Sequence, residues 1–119
     1  MQFRAIYRHA GMSPRKLRPV VDLVRGKHVN DALQVLRAAN KRASAMVDKV
    51  LRSAIANADQ SLEADMESLY VAEARVDEGR TRRKWRARAR GRAATIRKRS
   101  SHIWIVLDDG APEAPQPQA

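Results

Sequence analysis

The sequence predicts an α+β fold with a long, extended β-hairpin arm. Three observations carry that expectation. Stretches 13–26, 30–39 and 41–60 place apolar residues at helical spacing. Stretches 2–10, 69–77 and 102–107 alternate as half-buried strands do. Between the last two strands runs E-G-R-T-R-R-K-W-R-A-R-A-R-G-R-A-A-T-I-R-K-R-S-S, residues 78–101, with eleven of the chain's twenty-four Lys and Arg residues. No acidic residue stands between Glu78 and Asp108.

The elements follow in order. In 2–10, Phe3, Ala5 and Tyr7 share one strand face and Arg4 and Arg8 the other. Gly11-Met12 breaks the strand. Ser13-Pro14 is a helix start, a serine cap followed by proline where a missing N–H costs nothing. Leu17, Val20, Val21 and Val24 then form an apolar stripe, and Gly26 suits a left-handed stop. A second helix is expected from Asn30 as cap, with Asp31 favouring the positive end of the dipole. Ala32, Leu33, Leu36 and Ala39 make its apolar side. The third helix, near 41–60, carries Ala43, Met46, Val47, Val50, Leu51, Ala54, Ile55 and Ala58 on one face. That i, i+3, i+4, i+7 pattern makes it the spine of the core, with Met46 as a core filler.

Residues 59–67 are polar and read as a loop. In 69–77, Tyr70, Ala72, Ala74 and Val76 share a face by strict alternation. In 102–107, Ile103, Ile105 and Leu107 oppose Trp104 and Val106. If Asp77 pairs near Ser101, the arm's midpoint is Ala89 and its tip Arg88, Ala89, Arg90 and Gly91, with Gly91 at a positive-φ turn position. Each limb of about eleven residues then reaches roughly 35 Å.

At 119 residues the chain is one domain by length, expected as 1–109, with a body of 1–78 and 101–109 and an arm of 79–100. The tail 110–119, with three prolines after its glycine, reads as disordered. Net charge is +11, very unevenly spread. Residues 1–79 carry +3, residues 80–107 carry +11 and residues 108–119 carry −3. A two-stranded ribbon of that length is marginal alone, and its charges repel one another. It needs a polyanion. Most of its cations are Arg, whose planar guanidinium suits phosphate and base recognition. Trp85 sits among Arg83, Lys84 and Arg86, placed either to stack on an unpaired base or to pack on an arginine across the hairpin.

Other functions find little support. The chain has no cysteine, which excludes disulfides and thiolate metal sites. His9, His28 and His102 are scattered, and no G-x-x-x-x-G-K-S/T spacing occurs. No catalytic, cofactor or metal site is expected. Asp77-Glu78 reads as an acidic pair for Arg75, Arg80 or a charge on a partner. No signal peptide and no apolar run of membrane-spanning length is present, so the chain reads as a soluble, cytoplasmic protein. Two rival readings remain. Stretches 13–26 and 30–39 superficially resemble a helix-turn-helix of a DNA-binding or nucleoid protein, yet the second helix offers only Arg37 as a strong base reader. A membrane-active peptide would need a bulky apolar face, and the cationic stretch is alanine-rich.

Several segments carry a family resemblance: Ser13-Pro14-Arg15-Lys16-Leu17-Arg18, Val20 through Lys27, Asn40-Lys41-Arg42, and Ala54-Ile55-Ala56-Asn57-Ala58. The more specific ones are Val76-Asp77-Glu78-Gly79, Arg88-Ala89-Arg90-Gly91-Arg92-Ala93 and Lys98-Arg99-Ser100-Ser101-His102-Ile103. With these the chain resembles the twenty-second family of large-subunit ribosomal proteins, in its bacterial form. The resemblance implies three helices packed on a small antiparallel sheet. It also implies binding to large-subunit ribosomal RNA, with a hairpin reaching the wall of the nascent-peptide exit tunnel. Neighbouring ribosomal proteins and, transiently, the nascent peptide would be partners; no membrane or small-molecule substrate is implied. Arg80 and Ala87 stand where family members commonly carry proline, and Trp85 and the arginines at 80, 82 and 83 also depart from the pattern.

The expected RNA-binding residues are Arg15, Lys16, Arg18 and Lys27 on the body, and Arg80, Arg82, Arg83, Lys84, Arg86, Arg88, Arg90, Arg92, Arg97, Lys98 and Arg99 on the arm. Lys98 and Arg99 are expected to grip its base. Trp85 and the tip at Arg88, Ala89, Arg90 and Gly91 are expected to face the tunnel.

Overall fold

The computed structural model describes residues 1–61 and 64–110. Among them the elements run β1 (Gln2–Ala10), α1 (Pro14–Val24), α2 (Val29–Ala39), α3 (Arg42–Asp59), β2 (Tyr70–Glu78), β3 (Arg82–Ala87), β4 (Ala93–Lys98) and β5 (Ser101–Asp108). A sheet in the order β1-β5-β2, antiparallel throughout, is covered on one face by the three helices. β3 and β4 form a separate two-stranded ribbon. The fold is the expected α+β body with its hairpin. The tail beyond Gly110 lies outside the described residues.

The core forms where α3 meets the sheet. Val47, Leu51, Ala54 and Ala58 are fully shielded against Ile103, Ile105 and Leu107 of β5, joined by Leu17, Val20, Val21 and Val24 of α1. Met46 and Ile55 pack at its margin, as their places on the apolar stripe require. α1 continues unbroken through Pro19. Pro19 has no amide to give the carbonyl four residues earlier, but it sits on the exposed side of the helix, where water can serve that carbonyl.

Two local readings need correction, at the start of α2 and within β2. α2 is capped by His28 and not Asn30: the imidazole Nδ1 accepts from the Asn30 amide at 3.2 Å, while Nε2 donates to the Glu67 carbonyl at 2.6 Å. Asn40 ends α2 in a left-handed conformation, and α3 starts after Lys41. In β2 the strict alternation fails. A bulge between Val71 and Glu73 resets the phase, so Val71, Ala74 and Val76 face the core while Ala72 is exposed.

The outer edge of β2 is covered. The Val71 carbonyl and amide bond to the Gly26 amide and the Lys27 carbonyl. The Arg25 guanidinium donates to the Ala74 carbonyl at 2.6 Å and 3.1 Å, and Arg18 to the Val76 carbonyl at 3.4 Å. Arg18 of α1 and Arg25 just after it thus hold the strand that launches the arm and protect an edge otherwise open to pairing. Asp77, at the end of that strand, lies 3.5 Å from Arg75, one of the partners expected for it. At the other end of the sheet the Met1 ammonium meets Asp109 at 3.0 Å. That hydrogen bond, with the Asp65 amide, holds the Asp109 carboxyl below its ordinary range.

Candidate nucleic-acid interface

The arm begins at a neck. Glu78 pairs with Ser101 in the body sheet and Arg82 with Lys98 in the ribbon. Three residues, 79–81, therefore face two, 99–100, across the neck. The Gly79 amide donates to the Ser100 carbonyl at 2.9 Å, and the Ser100 hydroxyl donates to the Arg80 carbonyl at 2.6 Å. Asp77 pairs with His102 and not Ser101, and the extra residue at the neck adds a further half-step, so the centre of the arm is Arg90 and not Ala89. Ala87 pairs with Ala93, and the Arg88 amide reaches the Arg92 carbonyl. Arg90 and Gly91 turn the chain at φ 64° and 72°.

The register decides which charges meet. Arg82 stands opposite Lys98 and Arg83 opposite Arg97. Like charges directly opposite in an antiparallel pair are destabilising, and two such pairs sit in succession at the root of a ribbon whose strand residues are almost all exposed. The folded arm thus concentrates the repulsion that composition alone announced.

Between the neck and the body lies a groove of about 830 Å³. Arg80, Arg82, Lys84, Arg97, Lys98 and Arg99 line it from the arm, and Lys16 and Arg42 from the body. Among the described residues, no acidic side chain contributes to its wall. Lys16 and Arg42 lie in the first turns of α1 and α3, neither of which holds an acidic residue. A cation there opposes the helix dipole, at a cost of about 0.3–1 kcal/mol each. Neither Ser13 nor Lys41 caps its helix with a side-chain hydrogen bond, so the expected serine cap is one of position only. Two helix N-termini and eight cations converge on one cleft, an arrangement complementary to phosphate.

Other candidates fall elsewhere. Arg15 is exposed on α1. Arg18 points to the Val76 carbonyl and ties α1 to β2. Lys27 follows the far end of α1, about 16 Å from its start at 1.5 Å per residue, and is not brought to the groove. Arg83 and Arg86 lie exposed along the ribbon, and Arg88, Arg90 and Arg92 at its end. Arg42 was missed as a site residue; its signal was a basic helix start with no acid to balance the dipole. Among the described residues, no three His, Cys, Asp or Glu side chains gather to hold a metal.

Comparison with known proteins agrees with this architecture. A family model described as Ribosomal protein L22p/L17e matches residues 5–108. A protein of Thermoanaerobacter sp. named Large ribosomal subunit protein uL22 is 52% identical over 109 residues, covering 92% of this chain and 98% of that protein. Proteins of the same name from Halothermothrix orenii and Syntrophus aciditrophicus are 50% and 49% identical over 109 residues, covering 92% of this chain and 96% and 99% of their own. A match of that extent, over body, neck and arm together, places the chain in the ribosomal protein L22p/L17e family.

Proposed function

We propose that this protein binds large-subunit ribosomal RNA through the groove and the arm, and that the arm's tip reaches the wall of the nascent-peptide exit tunnel. Family membership makes the chain a structural, non-enzymatic constituent of the large ribosomal subunit. The observation that carries the finer reading is the groove: among the described residues it gathers eight cations and no acid, where two helix starts meet the base of the arm. Residues 1–109 act as one RNA-binding unit in the cytoplasmic ribosome. The body docks on the RNA surface beside neighbouring large-subunit proteins. The arm supplies counter-charge between RNA segments, and its tip, at Arg88 through Gly91, meets the passing peptide. Phosphate contacts fix the position and RNA shape supplies selectivity. No helix among the described residues is long and apolar enough to cross a membrane.

The test is competition at equal salt between large-subunit ribosomal RNA fragments and duplex DNA of matched length. Preference for the ribosomal fragments supports the proposal. Equal or tighter binding of duplex DNA would favour a nucleoid role.

A further inference from the structure

The ribbon has two unlike faces. Strand alternation and the β3–β4 register put Arg82, Lys84, Arg86 and Lys98 on one side, with Ala94 and Ile96 half-sheltered beneath them. Arg82, Lys84 and Lys98 line the basic groove, and Arg97 of the opposite face reaches it too. The opposite face carries Trp85, flanked by Arg83 and Arg97 and otherwise surrounded by the small side chains Ala87, Ala93 and Thr95. Trp85 stands directly opposite Thr95, which cannot cover an indole. Trp85 is 71% exposed, the most exposed of the large hydrophobic residues among the described residues. The chain's other tryptophan differs: Trp104 is half-buried, with the Arg75 guanidinium 4.6 Å from its ring. Trp85 takes part in no cation–π contact among the described residues, so packing on an arginine is not what the fold does with it.

We infer that Trp85 is a stacking platform for one unpaired RNA base, on the face of the arm opposite its phosphate-binding side. The inference rests on the RNA-binding reading above and adds a base contact to it. An open indole has a flat apolar face that water serves poorly and a nucleobase serves well. Arg83 lies two residues before Trp85 on the same face, and Arg97 diagonally across, about 7–8 Å away by strand geometry. Arg83 is placed to meet the phosphate of the nucleotide whose base stacks, and Arg97, which also lines the groove, links that nucleotide to the phosphate-binding side. The small residues around the ring leave room for a base to lie flat. The occupant is a base and not a peptide side chain because cations flank the platform and no acid lies on either strand of the ribbon.

The experiment uses the full chain with Trp104→Phe, so that Trp85 is the sole tryptophan, excited at wavelengths where Tyr7 and Tyr70 do not absorb. Two probes of equal length and charge are compared: single-stranded oligo-adenylate and the same backbone without bases. Oligo-adenylate is expected to quench Trp85, and the abasic strand is not. Trp85→Ala is expected to weaken oligo-adenylate binding about tenfold and to leave abasic binding and both salt slopes unchanged, since no cation is removed. Trp85→Phe is expected to recover most of the loss, which a folding defect would not allow. Equal loss on both strands, or no quenching by oligo-adenylate, overturns the inference. So does quenching by an aromatic peptide in its place. If the unsubstituted protein binds neither strand, the RNA-binding reading itself fails, and the stacking platform with it.

Discussion

Gly79 and Ser100 meet across the neck of the arm so closely that a Cβ on residue 79 would stand 2.7 Å from the serine hydroxyl and 3.1 Å from its backbone carbonyl. The glycine is needed here for space, not for an unusual backbone angle. Gly79→Ala should therefore force the two limbs apart and cost about 1–3 kcal/mol by overpacking, read as a lowered midpoint in urea unfolding. Adding Ser100→Gly should restore only part of the loss, because the carbonyl contact remains. Full restoration would mean that the hydroxyl alone sets the constraint.

The core contains one polar side chain whose removal should help. Ser44 is 4% exposed, and its hydroxyl has no hydrogen-bond partner among the described residues. Burying an unpaired hydroxyl costs about 1–3 kcal/mol. Ser44→Ala should be neutral or stabilising in thermal unfolding. A marked loss of stability would show that the hydroxyl is satisfied in solution.

Body and arm should separate in amide exchange. Residues 47–58 of α3 lie on the most shielded part of the core, whereas 82–98 gain almost no burial and hold like charges face to face. Free protein should protect the first segment and leave the second open. Ribosomal RNA should then protect the arm. Strong protection of the arm without RNA would contradict the charge argument.

The tip should be separable from docking. Replacing 88–92 with Asn-Gly joins Ala87 to Ala93 through a two-residue turn and removes three cations, while the groove stays whole. Such a variant should still enter large subunits, and ribosome profiling should show altered pausing on peptides that stall in the tunnel. Failure to assemble would make the tip part of the docking surface. Unchanged pausing would remove it from the tunnel wall.

Most of the body was legible because its periodicities are long and unbroken. The stripe from Ala43 to Ala58 can face only one way, and β5 alternates without interruption from Ile103 to Leu107. What escaped were single-residue irregularities. The bulge after Val71 defeats a period of two, and the Asp77–His102 pairing together with the extra residue at the neck moves the arm's centre from Ala89 to Arg90. His28 was hidden as a cap because its second partner, Glu67, is thirty-nine residues away. The arm's charge was plain in the sequence. The groove was not, since it needs Lys16, Arg42 and Lys98 side by side, and only the packing of α1 and α3 against the sheet brings them together.

The central claim is that this groove docks the protein on large-subunit RNA. Its most direct test is sedimentation of the tagged chain with ribosomal particles, comparing the unsubstituted protein with one carrying Gln at Lys16, Arg42, Lys98 and Arg99. The unsubstituted chain should run with large subunits. The variant, folded by circular dichroism, should remain at the top of the gradient, and its RNA binding should lose salt dependence by about 0.7–0.9 in slope for each phosphate contact removed. Equal entry of both proteins into large subunits, with an unchanged salt slope, would contradict the account.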